Sequence, residues 1–275
     1  MQWIQYSIIA DKIVDYYEIP YTAVDWTSMV YLLTYAVFGW GGSCLLDILG
    51  LRIAYLTGMV GTCIGAWLKL ISVSPDRFWA VILGQSIIGC SEIFMLPVPS
   101  KLAAVWFGPK ETSTACSLGL FGTQIGIGTG FLIPPIIINS QADSSTTRQG
   151  LYIMLTTVAV LNTFLLVMLC FFFKDRPPSP PSQAQLQKEE EKIKISNLKQ
   201  SLKDLFTNRS YVLLIISHGM ATGVSYAIMQ LLNQIILKYY KDSAEDAGRI
   251  GLIVVFVGMI SCIICGIVLD KFKKF

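Results

Sequence analysis

Charge is what this sequence has least of. Asp, Glu, Lys and Arg together make up 14% of the 275 residues, against about 25% in an ordinary soluble domain. Apolar residues make up 53%, and the mean hydropathy is +0.59. So few charges cannot cover a globular surface in water, which excludes a conventional soluble enzyme. The net charge of +3 is too small to argue for nucleic acid as a partner. There is a single histidine, His218, and no C-x-x-C-H attachment motif. The seven cysteines all lie in apolar stretches, where staples or zinc ligands are not expected. Cys262 and Cys265 form a C-x-x-C in the middle of an apolar run, which reads as small packing residues. No P-loop is present, so ATP does not drive this chain, and no nucleophile–base pattern stands out. The expectation is no enzyme activity, no cofactor and no metal.

What the chain does have is long apolar runs separated by polar connectors. Full-length runs cover Asp25–Leu46, Ile53–Val73, Phe78–Val98, Thr114–Ile138, Leu151–Phe173, Tyr211–Leu237 and Gly251–Leu269. Each is close to the roughly 20 residues that a bilayer core requires, and Gly and Ser recur within them, as close packing of membrane helices favours. Met1–Ala10 is apolar but too short to span. It lacks the basic region and cleavage site of a signal peptide. It reads as the outer half of a first helix, and the basic end at Asp270–Phe275 suggests that further helices follow. The fold class expected is an all-α membrane protein whose partner is the lipid bilayer.

Lys and Arg give the orientation. With Lys174–Arg209 in the cytoplasm, that side also holds Arg52, Lys101, Lys110, Lys271, Lys273 and Lys274. The other side has Lys12, Arg77, Arg148, Lys238, Lys241 and Arg249. The 174–209 segment opens with Pro177, Pro178, Pro180 and Pro181, which form a stiff start. Gln183–Phe206 follows with apolar Ile193, Leu198, Leu202 and Leu205 at helical spacing, as in an amphipathic surface helix. The predicted organisation is therefore a six-helix half over 1–173, a cytoplasmic loop over 174–209, and the start of a second half over 210–275. Leu46-Asp47 with Gly50 and Arg52 echoes Leu269-Asp270 with Lys271 in the equivalent place of the second half, as expected of parallel repeats. Asp47 could cap the next helix and Gly50 allow a tight return. Asp47, Gly50, Arg52 and Asp270 are thus candidate gating turns, with a static turn contact as the alternative.

Polar side chains within apolar helices are the candidate site residues, because hydrocarbon penalises them. Tyr226, Gln230 and Asn233 share one face at i, i+4 and i+7, with Gln234 beside them; they line a pathway or tie helices together. Trp3, Gln5 and Tyr6 sit in the short first segment, where an interfacial aromatic belt is the rival reading. Gln124 lies among Gly119, Gly122, Gly126, Gly128 and Gly130, ahead of Pro134 and Pro135, which are expected to weaken the helix. It reads as an inward polar contact or as packing. Glu92 is the one carboxylate deep in a span, with Gln85 seven residues earlier on nearly the same face. It could attract a cation or relay a proton, or it could face water at a helix end. His218 is a hydrogen-bonded helix residue or a haem ligand.

At Gln2-Trp3-Ile4-Gln5-Tyr6-Ser7, Asp25-Trp26, Ser28-Met29-Val30-Tyr31, Trp106-Phe107-Gly108-Pro109-Lys110-Glu111, Ser113-Thr114-Ala115-Cys116, Gly130-Phe131-Leu132 with Pro134-Pro135, Leu231-Leu232-Asn233-Gln234 and Ala247-Gly248-Arg249-Ile250-Gly251-Leu252, the chain resembles the feline leukaemia virus subgroup C receptor (FLVCR) family of the major facilitator superfamily. The resemblance covers nearly the whole chain. It implies a twelve-helix bundle, of which about eight helices are present here. It also implies facilitative transport of choline and ethanolamine-like amines; haem transport is attributed to the family as well. A truncated form without transport of its own is a further alternative. Carried over by motif, the cation site uses Trp3, Gln124 and Tyr226, with Tyr31 and Asn233 as additions. Where this chain has Glu92, the family pattern has an uncharged Gln. The chemistry agrees: a quaternary ammonium donates no ordinary hydrogen bond and is held by aromatic faces, worth about 2 kcal/mol each when desolvated. A potential of 100 mV supplies about 2.3 kcal/mol per charge for such a cation. The expected location is the plasma membrane, with a mitochondrial or other internal membrane as alternatives.

Overall fold

The computed structural model describes residues 1–108, 111–138, 144–175, 177, 204–240 and 243–272. Among them are nine α-helices and no strand: α1 (Ala10–Tyr17), α2 (Tyr21–Leu49), α3 (Leu51–Leu68), α4 (Phe78–Met95), α5 (Val98–Trp106), α6 (Thr112–Ile137), α7 (Ser144–Phe172), α8 (Arg209–Tyr239) and α9 (Ala244–Phe272). Short 3-10 turns occupy Ser7–Ile9, Lys69–Val73 and Pro75–Arg77. Among the described residues, six helical segments are long and apolar enough to cross a membrane: Leu51–Val73, Pro75–Trp106, Thr112–Ile137, Ser145–Phe172, Arg209–Tyr239 and Ala244–Cys265. α2, with 29 residues, is about 43 Å long and exceeds the roughly 30 Å of a hydrocarbon core.

The distribution of polarity is inverted relative to a water-soluble protein. In α8 the fully buried side chains are Gln230 and Asn233, while Leu213, Leu214, Met220 and Val224 are exposed. Apolar side chains face outward along α7 as well, at Phe164, Phe171 and Phe172. In water such a surface would aggregate; in lipid it is the stable arrangement. The chain is an integral, multi-pass α-helical membrane protein.

Close backbone approach explains much of the glycine content. Gly42, Gly58 and Gly61 face α4, and Gly65 and Gly84 face each other across the α3–α4 contact. A Cβ on Gly65 would lie 2.7 Å from the Gly84 carbonyl oxygen. α6 and α9 cross in the same manner. A Cβ on Gly248 would stand 2.7 Å from the Phe131 carbonyl oxygen, and one on Gly251 would stand 2.4 Å from the Phe131 ring. Without side chains the axes come close and gain dispersion contact along their length. Pro134 and Pro135 do not interrupt α6. They lie in its last turn, and the amide of Ile138 closes on the Pro134 carbonyl at 2.9 Å.

The turn between α2 and α3 is tied to a residue far along the chain. Gly50 does make the tight return, with φ +83° and ψ 164°, a backbone conformation that is nearly exclusive to glycine. The acceptor at the start of α3 is supplied by Asp175, from beyond the end of α7. Its Oδ1 accepts from the Arg52 amide at 2.9 Å, where a carboxylate complements the positive end of the helix dipole. Arg52 Nη2 donates to the Cys170 carbonyl at 2.9 Å, so the turn is tied twice to the end of α7. The side chains of Asp47 and Asp270 lie outside the described residues. The amphipathic stretch expected over Gln183–Phe206 does too, except that residues 204–206 are helical.

The first segment departs from a simple half-helix. Residues 2–6 form turns, Ser7–Ile9 is 3-10, and a regular helix begins only at Ala10. Side chains from three other helices bond the backbone carbonyls of this segment. Gln85 Nε2 donates to the Gln2 carbonyl at 3.1 Å, Ser28 Oγ to that of Trp3 at 2.8 Å, and Asn233 Nδ2 to that of Ile8 at 2.7 Å. The segment is thus tied through its carbonyls to α4, α2 and α8. This irregular backbone is tolerated at membrane depth because it is enclosed by protein. Ile4, Gln5, Tyr6, Ser7, Ile8, Ile9 and Ile13 are all buried, and the apolar core is built around them with Phe131, Leu151, Met154 and Leu155.

Candidate substrate site between the two helical halves

Residues 1–173 and 210–272 meet along two seams. One is the α6–α9 crossing, where Gly128 packs beside Leu252 and Val255 and Phe131 lies under Gly248 and Gly251. The other joins the first segment and α2 to the later part of α8. There the Trp3 and Tyr226 rings are 5.1 Å apart between centroids and inclined at 59°. Asn233 reaches the Ile8 carbonyl, Gln230 Nε2 donates to the Asp25 carbonyl at 3.1 Å, and Gln234 Nε2 donates to Asp25 Oδ1 at 2.8 Å. The polar seam lies in the part of α8 far from Arg209. α8 from Leu213 to Ser225 is exposed except for the half-buried Thr222, and α6 has no buried residue before Gly128.

Helical spacing does put Tyr226, Gln230 and Asn233 on one face of α8, and that face meets the first half. The three residues differ in what they contact. Gln230 and Asn233 are buried and spend their amide donors on backbone carbonyls, whereas Tyr226 is half-buried against an aromatic ring. Trp3 and Tyr6, three residues apart, diverge because the segment is not a regular helix. Trp3 points to α8. Tyr6 is fully buried within the first half, its ring 5.8 Å beneath Lys69 Nζ.

Trp3 Nε1 and Gln124 Oε1 are among the solvent-shielded polar atoms that carry no hydrogen-bond partner among the described residues. Gln124 is half-buried in α6, and its Nε2 would lie 4.0 Å from a Cβ placed on Gly258 of α9. The amide therefore stands between α6 and α9. Unpaired buried polar groups are costly, at about 1–3 kcal/mol each, and a donor and an acceptor left in this state offer a ligand hydroxyl or amine something to bind. Glu92 is half-buried on α4.

Tyr31 and Gln85 belong to a different cluster. Tyr31 OH donates to Gln85 Oε1 at 2.8 Å, and Lys69 Nζ donates to the same oxygen at 3.3 Å and to Gln2 Oε1 at 2.7 Å. Tyr31 thus meets the amide network behind Trp3. His218 is exposed on α8, and among the described residues no group of three or more His, Cys, Asp or Glu side chains could hold a metal. Asn208 caps α8, its Oδ1 accepting from the amides of Ser210 and Tyr211. Spacing analysis overlooked Asp25 and Lys69. Asp25 sits at the start of an apolar run, where a carboxylate is ordinary. Lys69 is a basic residue inside a long apolar stretch, and that interruption was its available signal.

The comparisons with known proteins follow this geometry. The family described as Major Facilitator Superfamily matches residues 1–275. The chain is 48% identical over 274 residues to an uncharacterized MFS-type transporter, C09D4.1, of Caenorhabditis elegans, covering 100% of this chain and 47% of that protein. It is 39% identical over 274 residues to the choline/ethanolamine transporter flvcr2a of Danio rerio, covering 100% of this chain and 58% of the relative. It is 41% identical over 273 residues to the choline/ethanolamine transporter FLVCR1 of Felis catus, covering 99% and 49% respectively. The chain therefore spans about half the length of the curated relatives it matches. With its all-helical bundle and its apolar exterior, the chain belongs to the major facilitator superfamily, and within it to the FLVCR family.

Proposed function

We propose that the protein is a carrier, not an enzyme, and that it moves choline-like or ethanolamine-like amines by alternating access. The observation that carries this reading is the Trp3–Tyr226 pair, two aromatic rings from opposite halves of the bundle within 5.1 Å of each other. Aromatic faces attract a desolvated ammonium group through the ring quadrupole, and rings on separate halves allow one motion to assemble and disassemble the site. Gln124 Oε1, shielded and unpaired, would accept from a substrate hydroxyl. Glu92 would add a favourable field for a cation. Gln230, Asn233 and Tyr31 would shape the passage through the backbone and amide contacts described above.

The division into a first half over 1–173, a cytoplasmic loop over 174–209 and a second half from 210 supports a rocking motion. With the loop in the cytoplasm, both seams lie toward the outer side. The turns at Asp47, Gly50 and Arg52, and at Asp270 in the second half, would then act at the cytoplasmic mouth. The names of the relatives from Danio rerio and Felis catus, choline/ethanolamine transporters, point to the same substrate class.

Uptake of labelled choline and ethanolamine by the full-length protein in liposomes, with and without Trp3→Ala, tests the reading. Loss of at least about tenfold in uptake is expected if the indole contributes its full cation–π energy. Equal uptake by the two proteins would refute the assignment.

A further inference from the structure

Lys69 is fully buried at the end of α3, in a bundle otherwise sparing with charge. Among the described residues no carboxylate lies within ion-pair distance of it. A buried lysine without an ionic partner is costly, so its placement calls for a role. The surroundings are fitted to it. A Cβ on Gly84 would lie 2.6 Å from Lys69 Cγ, so the glycine on α4 is what lets the aliphatic stem pass. The amine then emerges over the Tyr6 ring and between two amide oxygens, at 2.7 Å from Gln2 Oε1 and 3.3 Å from Gln85 Oε1.

Gln2 is consequently fixed at both of its ends. Lys69 holds its side chain, and Gln85 Nε2 holds its carbonyl at 3.1 Å. The next residue is Trp3, whose own carbonyl accepts from Ser28. Residues 2–6 are not helical, so no regular ladder of backbone bonds sets the direction of the indole. These side-chain ties take its place, and Lys69 is the only member of the set that reaches the Gln2 side chain.

We propose that Lys69 is a positioning residue for the amine site, acting through Gln2 to hold the Trp3 indole against Tyr226. This rests on the reading of Trp3 as a cation-binding residue. Lys69 itself does not touch the substrate. Its loss would leave the aromatic groups present but loosely aimed, and small misplacements of a binding group are expensive.

The test is labelled-choline uptake by the full-length protein in liposomes, resolved into KM and Vmax. Lys69→Met keeps the stem and removes the donor. It should raise KM about tenfold, as loss of one charge-assisted hydrogen bond implies, while Vmax stays within about twofold. In a Trp3→Ala background the same substitution should change KM by less than about twofold, because the group it positions is gone. An unchanged KM for Lys69→Met, or an equal rise in both backgrounds, overturns the proposal. If Lys69→Met is not recovered folded, Gln2→Ala breaks the same tie from the other side, and an unchanged KM there overturns it as well. A Trp3→Ala protein with full uptake would instead strike the amine-site reading itself, which separates the two failures.

Discussion

Where α6 meets α9, contact is made by leaving side chains out. Gly128, Gly248 and Gly251 bring two backbones together around the Phe131 ring. Where the first segment meets α8, contact is made by polar side chains reaching across, with Asn233 on the Ile8 carbonyl and Gln230 and Gln234 on Asp25. The two seams join the same halves, but their energetics differ. A glycine crossing depends on shape: each added atom must displace something, and the fit is lost abruptly. An amide–carbonyl seam depends on partners that water can replace, so it can open and reform at a modest cost, averaging about 0.6 kcal/mol per interhelical hydrogen bond in one measured membrane protein. The aromatic pair belongs to the second seam, the one suited to repeated opening.

The contrast can be broken most forcibly at Gly251. Gly251→Leu drives a side chain into the Phe131 ring and should cost about 3 kcal/mol, seen as a fall in melting temperature in detergent. Phe131→Ala in the same chain should recover part of the loss, because the clash disappears. A glycine outside both seams gives the next effect. Gly50→Ala forces a Cβ into a backbone conformation with φ +83° and to within 3.1 Å of Asp175 Oδ1, at about 2 kcal/mol. Thermal unfolding should show that cost. In the polar seam, Asn233→Ala strips the donor from the Ile8 carbonyl and should cost only about 1 kcal/mol. Its larger signature should be kinetic, a shift in the rate at which the outer side opens, readable from the accessibility of a cysteine introduced near Asp25. The smallest effect should come from the exposed ion pairs of Arg249 with Glu245, at 3.6 Å, and Asp246, at 3.2 Å. Glu245→Gln should move stability by less than about 0.5 kcal/mol and should leave uptake unaltered. A Gly251→Leu protein with normal stability, or an Asn233→Ala protein that fails to fold, would erase the distinction between the seams.

The sequence was most legible where the physics is one-dimensional. Apolar length and charge scarcity located the long helices α2 to α4 and α6 to α9, although α7 and α9 each begin seven residues before the apolar run that signals them. Helical spacing placed Tyr226, Gln230 and Asn233 on one face of α8. It was least legible where side chains reach the backbone of distant elements. Nothing local in Met1–Ala10 says that residues 2–6 will not be helical, or that Gln85, Ser28 and Asn233 will bond its carbonyls. Those residues lie far along the chain, and each is itself an ordinary polar residue in an apolar run. The same limit hid Asp175 as the acceptor at the start of α3, 123 residues along the chain from Arg52.

Residue composition on its own determined that this chain folds in hydrocarbon as a bundle of long helices, because the transfer energy of each apolar run is a property of that run alone. Only the tertiary structure decided which polar groups meet. It put Trp3 on Tyr226, Asn233 on the Ile8 carbonyl, and a lysine under the first segment, because hydrogen bonds and ring contacts depend on distances of a few ångströms between elements that the sequence keeps far apart.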